Sequence, residues 1–287
     1  MPQFGEEKLY NVMFWNCHKK NNDADFQIFL KDLLNDEKID LFCLAECLDF
    51  SQIQLADFLK NISSNGRFYR HIGRSEKKHD LWMNVFSSLP DKDDTAVQIK
   101  KKSSRYINVW LYKTVEIVFV HLKSLFSADM ETKLEDDKDV LADVYKGCIA
   151  PKFFIGDFNA TPYSSALLNS RTFNSIRLGE GAVKGSRREM SNHRRRINPS
   201  WNVYGKASSN YSEPLGSFFH KASTLSNIGW ELLDQVVFDE QLECFYKENS
   251  FRILSFNSKS IKLTTIKGRI NETYSDHLPV AFSLKDI

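Results

Sequence analysis

Six places along the chain set a carboxylate, an amide or an imidazole in or beside an apolar run. YNVMFW (10–15) leads to Asn16, IDLFCLA (39–45) to Glu46, and VEIVFV (115–120) to His121. KFFI (152–155) leads through Gly156 to Asp157 and Asn159. LLDQVVF (232–238) carries Asp234 inside it, and LPVAFSL (278–284) is preceded by Asp276 and His277. In an extended chain residues i and i+2 share a side, so Asp157 and Asn159 can point to the same place. Glu46, Asp157 and Asp276, with Asn16 and Asn159, are hard oxygen donors that suit Mg²⁺ or Mn²⁺ rather than zinc. Two histidines beside such donors match attack of water on a phosphate ester, where charge builds on the phosphoryl and leaving oxygens. The sequence has no GxSxG nucleophile motif, no Walker loop and no GxGxxG.

Each group also has a plainer reading. Taken singly, Asn16 is a turn residue, His121 a satisfied edge histidine, and Asp157 with Asn159 a polar turn closed by Pro162. Asp276 and His277 could cap a turn, and Glu46 could sit in a solvated loop. Asp234 resists this treatment, because a carboxylate amid Leu and Val must be paired if it is buried. The repetition decides the matter, since strand ends in open α/β sheets converge on one crevice.

The apolar runs predict strands, joined by DLWMNVFS (80–87) and INVWLY (107–112). Between the first two, Phe26, Phe29, Leu30, Leu33 and Leu34 recur at helical spacing behind Asp23 and Asp25. A second helix is expected over 51–62 behind Ser51, and a third, acidic on its outer face, over 129–147. Strands interleaved with helices predict an α/β fold with mixed sheets. Residues 171–214 differ, with few apolar residues. From Lys184 to Lys206 seven basic residues face one acid, a local charge of about +6. Arg187, Arg188, Arg194, Arg195, Arg196 and Trp201 are therefore candidate contacts to a phosphate backbone and its bases, extended by Lys100, Lys101, Lys102 and Arg105.

With 287 residues, 42% of them hydrophobic, the chain can bury a large core, and its net charge of +2 leaves any pull on nucleic acid local. No run has the length of a membrane span, and MPQFGEEKLY lacks an apolar signal core. The five scattered cysteines read as buried hydrophobes in a reducing compartment, so a cytoplasmic protein is expected.

In this order NVMFWN, LFCLAE, VHLKS, IGDFNATP, LLDQVVF and SDHLPV resemble the motif set of the endonuclease/exonuclease/phosphatase superfamily. That superfamily holds pancreatic-type deoxyribonuclease, exonuclease III-like abasic-site endonucleases, inositol-polyphosphate 5-phosphatases and neutral sphingomyelinases. The resemblance spans residues 11 to about 281. It implies one catalytic domain over 1–287, with a basic insertion around 171–214. It also implies a four-layer α/β sandwich, two mixed sheets face to face with helices outside. By position, Glu46 resembles the principal metal ligand, with Asn16 near it and Asp276 at the metal. Asp157 resembles the residue that orients or deprotonates water, and Asn159 one that binds a phosphoryl oxygen or helps place that water. His277, oriented by Asp234, would contact the scissile phosphate, and His121 would contact phosphate or protonate the leaving oxygen. His18 stands where abasic-site endonucleases usually carry an acid, which argues against dedicated abasic-site repair. INPSW and the aromatic run before LLDQVVF resemble a bacterial subgroup. The function implied is a Mg²⁺- or Mn²⁺-dependent nuclease acting on DNA or RNA. A phosphatase or phosphodiesterase for a small phosphorylated molecule or lipid headgroup is the alternative. A binding module is disfavoured because every expected catalytic residue is present.

Overall fold

A computed structural model describes residues 8–64, 66–78, 81–90, 96–124, 129–177, 194–205, 214–220, 229–256, 259, 262–265 and 269–285. The first sheet has six strands. It contains β1 (Leu9–Asn16), β2 (Ile39–Cys47), β3 (Arg70–Arg74), β4 (Trp82–Ser87), β14 (Arg252–Ile253) and β15 (Val280–Lys285), in the order β14-β15-β1-β2-β4-β3. The second has seven. Its members are β5 (Val97–Lys102), β6 (Tyr106–Leu111), β7 (Val115–His121), β8 (Lys152–Asp157), β9 (Ser175–Arg177), β10 (Arg196–Asn198) and β13 (Asp234–Asp239), in the order β5-β6-β7-β8-β13-β10-β9. A small hairpin, β11 (Phe218–His220) with β12 (Gly229–Glu231), lies apart from both.

Each large sheet is built around a central parallel pair, β1 with β2 and β7 with β8, and the second sheet adds a short parallel pair, β9 with β10, at its edge. A parallel pair needs a long crossover, here helix α1 (Ala24–Asp36) in one sheet and helix α3 (Met130–Tyr145) in the other. The chain enters α1 through Asp23, whose carboxylate accepts from the amides of Asp25 and Phe26. It enters α2 (Gln52–Ile62) through a capping box made by Ser51 and Gln54. Helices α4 (Ser165–Leu168) and α5 (Trp201–Gly205) are short.

The apolar residues sort into layers. Val12, Phe14, Leu41, Ile117, Phe153, Val236 and Phe282 pack between the two sheets. Met13, Trp15, Phe42 and Leu44 face outward onto Phe26, Phe29, Leu30 and Phe58 of α1 and α2. Val118, Val120 and Phe154 face α3 and α4 through Val140, Leu141, Val144 and Leu167. Helix, sheet, sheet, helix is the four-layer sandwich expected. It follows from strands that are apolar on both faces. The third helix departs from expectation in one respect. Its polar residues are not all outward, because Lys133 and Asp137 are buried as an i,i+4 ion pair at 3.1 Å. The cysteines match expectation in part: Cys17, Cys43 and Cys47 are buried, Cys148 is half-buried and Cys244 exposed. Among the described residues no helix is long and apolar enough to cross a membrane.

Strand direction gathers the polar groups. Both central parallel pairs run toward the same edge of the sandwich, where Asn16, Glu46, His121 and Asp157 sit at or near the carboxyl ends of their strands. Antiparallel β13 begins at that edge with Asp234 opposite Asp157 in register, and His277 directly precedes β15. His121 is likewise opposite Asp157.

Candidate active site

Local backbone aims these groups. Gly156 has φ 149°, and a Cβ there would lie 2.0 Å from the Val120 carbonyl oxygen, so only glycine lets β8 close on β7 just before Asp157. The β2–β4 pairing slips between Leu44 and Cys47, and Glu46 takes φ 54° within the slip. A bulge of this kind re-aims a side chain out of the sheet. Asn159 also adopts a left-handed conformation, φ 48°, with its amide N–H donating to Asp157 Oδ1 at 2.8 Å. Its own side chain donates to the Leu122 carbonyl at 3.1 Å, tying the ends of β7 and β8 together. Lys133 reinforces that tie from below. Its buried ammonium donates to the carbonyls of Lys123, at 3.0 Å, and Phe158, at 2.9 Å.

The gathered groups line a cleft of about 530 Å³. Asn16, Glu46, His121, Asp157, Asn159 and His277 all face it. His277 Nδ1 lies 2.7 Å from Asp234 Oδ2, and a carboxylate can only accept, so Nδ1 carries a proton and Nε2 is turned toward Asp157 Oδ2 at 4.0 Å. Asp157, Asp234 and His277 form a buried cluster whose ligand-capable atoms lie within 4.8 Å of one another. Ser217 holds the start of β13 by accepting from the amides of Leu233 and Asp234. Glu46 reaches two imidazoles: Oε1 is 3.4 Å from His121 Nε2, and Oε2 is 3.4 Å from His18 Nδ1. His18 Nδ1 is also 3.5 Å from Asp276 Oδ2.

Burial and mutual charge pull the titrating groups apart. Burial, reinforced by the Asp234 carboxylate, pushes Asp157 up to about 7. Burial alone would lower the His277 imidazolium, but Asp234, Asp157 and Asp276 outweigh it and push it up to about 10. His121 goes the other way, held well below the usual imidazole range by burial and by the charges of Lys78, His277 and Arg105. The edge of the sandwich therefore offers a carboxylate near its titration point, a charged imidazole and a neutral one.

Three cations complete the cleft: Lys78, Arg105 and Lys123. Arg105 was visible in the sequence as part of a basic surface. Lys78 and Lys123 carried no signal beyond following GRSEK and VHL. Burial, then Arg105, draws the Lys78 ammonium down to about 8. Phe218, from the small hairpin, walls the cleft with its ring 4.9 Å from the His277 ring. The aromatic run before LLDQVVF that holds it was visible in the sequence, but nothing there placed it at the cleft.

The arginine run stands elsewhere. Arg196 is buried, with Nε 3.2 Å from Asp239 Oδ1 and Nη1 donating to the carbonyls of Thr172 and Phe173. Arg194 pairs with Asp239 at 3.4 Å and donates to the Ile149 carbonyl. Arg195 forks onto Glu240 at 3.1 and 2.6 Å. Asp239 ends β13, about 17 Å from Asp234 along the strand. Arg194, Arg195 and Arg196 thus answer two acids at the far end of the sheet and do not line the cleft. Lys100 and Lys101 are similarly engaged, with Glu116 and Asp143. Trp201 packs beside Tyr163, ring centroids 6.4 Å apart, and is not part of the cleft lining. Arg187 and Arg188 lie outside the described residues.

No protein-family model matches the sequence, and no curated protein matches it. Solved structures do match. An endonuclease/exonuclease/phosphatase family protein from Leptotrichia buccalis superposes with a TM-score of 0.55 over 96% of this chain and 100% of its own, at 13% identity. This is the endonuclease/exonuclease/phosphatase fold. An AP endonuclease from Archaeoglobus fulgidus shares it, with a TM-score of 0.54 over 97% of this chain and 100% of that one, at 14% identity. So does a mannosyl-6-phosphatase from Bacteroides thetaiotaomicron, with a TM-score of 0.52 over 96% and 99% at 14% identity. The fold thus carries both a nuclease and a sugar phosphatase, and it does not by itself choose between them.

Proposed function

We propose that this chain is a divalent-cation-dependent phosphodiesterase whose substrate is a nucleic-acid strand. The observation that carries the hydrolytic reading is the Asp234–His277 pair, with Nε2 facing Asp157 across a cleft lined by Lys78, Arg105 and Lys123. Asp157, raised toward neutrality, takes the proton of an attacking water. Asn159, its amide N–H on that carboxylate, fixes the side chain that must do so. His277, held as imidazolium by Asp234, donates from Nε2 to a phosphoryl oxygen, while Asp234 keeps the ring in place. Lys78, Arg105 and Lys123 add positive charge where phosphoryl charge grows. His121, neutral and facing Glu46 and Asp157, contacts the phosphate or the leaving oxygen.

Glu46 and Asn16, both in the cleft lining, with Asp276 on the far side of His18, are the hard oxygen donors a divalent ion would use. Mg²⁺ or Mn²⁺ there would draw charge from the phosphoryl oxygens.

A diester is preferred to a monoester because a second cavity, of about 450 Å³, opens on the other side of Phe218 and Asp276. A phosphorus with organic groups on two sides needs room on both. One observation favours the other reading, a phosphatase for a small phosphorylated molecule. The arginine run that would follow a polymer backbone is engaged elsewhere.

The deciding experiment gives wild type and Asp157→Ala to end-labelled single- and double-stranded DNA, RNA and a sugar phosphate, with Mg²⁺, Mn²⁺ or EDTA. Metal-dependent cleavage of a polymer, absent from the variant, supports the diesterase. Release of phosphate from the sugar alone transfers the function to the phosphatase reading.

A further inference from the structure

Trp201, the ring expected to stack on bases, is not part of the cleft lining, but Trp82 is. Trp82 opens β4 opposite Cys47 of β2, which sets it alongside Glu46. The strand alternates from there. Met83 and Val85 enter the core between the sheets, while Phe86 packs outward onto Phe58 of α2. Trp82 has the outward parity of Phe86, yet it is only half-buried. An indole kept at a cleft instead of in the core leaves part of a large apolar surface for a ligand.

The ring is also held in place. The Arg74 guanidinium stands 4.0 Å from its centroid and is itself anchored on Asp49, so a cation backs the indole. Among the described residues no aromatic ring packs on Trp82. Phe218, also in the lining, is by contrast already flanked by the rings of His220 and His277, each 4.9 Å away. A positive charge is tied to the same stretch of chain. Lys78 and Leu81 exchange backbone hydrogen bonds at 3.0 and 2.9 Å, which fixes the lysine just ahead of the ring.

An ammonium for a phosphate beside a flat ring is the pairing by which unpaired strands are held, backbone in a cationic groove and bases on aromatic platforms. A duplex does not meet it, because both faces of each base are covered by its neighbours in the stack. The cleft, at about 530 Å³, also has the volume of a small-ligand pocket.

We propose that Trp82 is a stacking platform for a base of the substrate strand, and that the enzyme therefore acts on unpaired nucleic acid in preference to duplex. This rests on the diesterase reading above.

The test crosses a change in the protein with a change in the substrate. Wild type, Trp82→Leu and Trp82→Phe are given a single strand, its duplex, and single strands each lacking one base beside the cleaved bond, with Mn²⁺. Wild type should show a KM for the single strand at least about ten-fold below that for the duplex, the worth of one stacked base. Trp82→Leu should raise the single-strand KM about ten-fold with kcat little changed, and Trp82→Phe, which keeps a ring, should recover most of that loss. One base-lacking strand should cost wild type as much, and cost Trp82→Leu nothing further. Losses that add overturn the platform. A preference for duplex, or faster cleavage beside a missing base, overturns the inference in wild type alone, whatever the variants do, and leaves the diesterase reading standing. No cleavage of any strand removes both.

Discussion

Strand β13 begins and ends with a buried aspartate, and the two ends do different things. At Asp239 both oxygens lie against guanidinium groups. Oδ2 accepts from the Tyr145 hydroxyl at 2.6 Å and the Lys152 amide at 2.9 Å, and Arg194 and Arg196 supply the counter-charge. At Asp234 one imidazole answers Oδ2, and Oδ1, like Asp239 Oδ1, is buried without a hydrogen-bond partner among the described residues. That imidazole presents its second nitrogen to a cleft. Burial of a carboxylate is common to both ends and distinguishes nothing. A carboxylate between guanidinium groups holds structure together, whereas a carboxylate–imidazole pair whose second nitrogen faces a cavity keeps the capacity to react.

The largest expected difference is in turnover. Asp234→Asn should lower kcat by about 10³-fold or more, because the imidazole loses the partner that fixes its proton and orientation. Asp157→Ala and His277→Ala should do at least as much, with the far-ultraviolet circular dichroism unchanged. Asp239→Asn should leave kcat per folded molecule where it was. Equal losses from the two asparagine variants would break the comparison.

Next comes stability, in the opposite sense. Arg196→Ala strips a buried guanidinium from Asp239 and should cost about 3–4 kcal/mol in urea unfolding, as breaking a buried pair does. KM should not move. A raised KM at unchanged stability would return the arginine run to the substrate.

Much of this was legible and some was not, for physical reasons. The strands that carry Asn16, Glu46, His121 and Asp157 are apolar on both faces, so the mixed-sheet α/β class and the converging edge followed from pattern, while the four layers came from the resemblance. Asp234 could be suspected from its strand alone, because a carboxylate amid Val and Leu needs a partner. Short edge strands such as β9 and β14 bury little and leave little pattern. Arg194, Arg195 and Arg196 could not be placed from sequence, because a run of like charge reads the same whether it meets phosphate or Asp239 and Glu240. Composition counts charges; only the fold shows which are already spoken for. Lys133 went unmarked for a related reason. It lies in an acidic helix, and besides Asp137 its partners are two backbone carbonyls, which have no sequence signature.

Lys133 sharpens the comparison from a third position, since it is as buried as Arg196 but tied to the cleft edge. Lys133→Met keeps the length of the side chain and removes both bonds to the loops after His121 and Asp157. We expect kcat to fall about ten-fold with KM little changed, because small misplacement of reacting groups is costly. Loss of stability alone, with kcat intact, would make Lys133 another structural pair like Arg196 with Asp239.

The smallest expected effect is the pH dependence of stability, and it differs in sign between the two ends of the parallel pair β7–β8. At the catalytic end His277 is raised from its ordinary value near 6.5 to about 10. A raised imidazole gives stability that is complete below the unfolded value and lost as pH climbs through the folded one. Asp157, raised from 3.8 to about 7, acts in the same direction, because its folded state favours the proton. At the other end, burial alone would raise Glu116, but hydrogen bonds from Asn108, Lys100 and Lys152 outweigh it and hold it down at about 2. Its contribution is present above the unfolded value, near 4.5, and disappears as pH falls toward 2. In EDTA, the advantage of wild type over Asp234→Asn in urea unfolding should shrink by about 1–2 kcal/mol between pH of roughly 6.5 and 10. The advantage over Glu116→Gln should be flat there and vanish only in acid. Mn²⁺ should flatten the alkaline loss alone, because a cation on Glu46 offsets the charge that a deprotonated His277 no longer does, and it has no reach to Glu116. Parallel slopes at the two ends would mean that the cleft is not the electrostatically unbalanced side of the molecule.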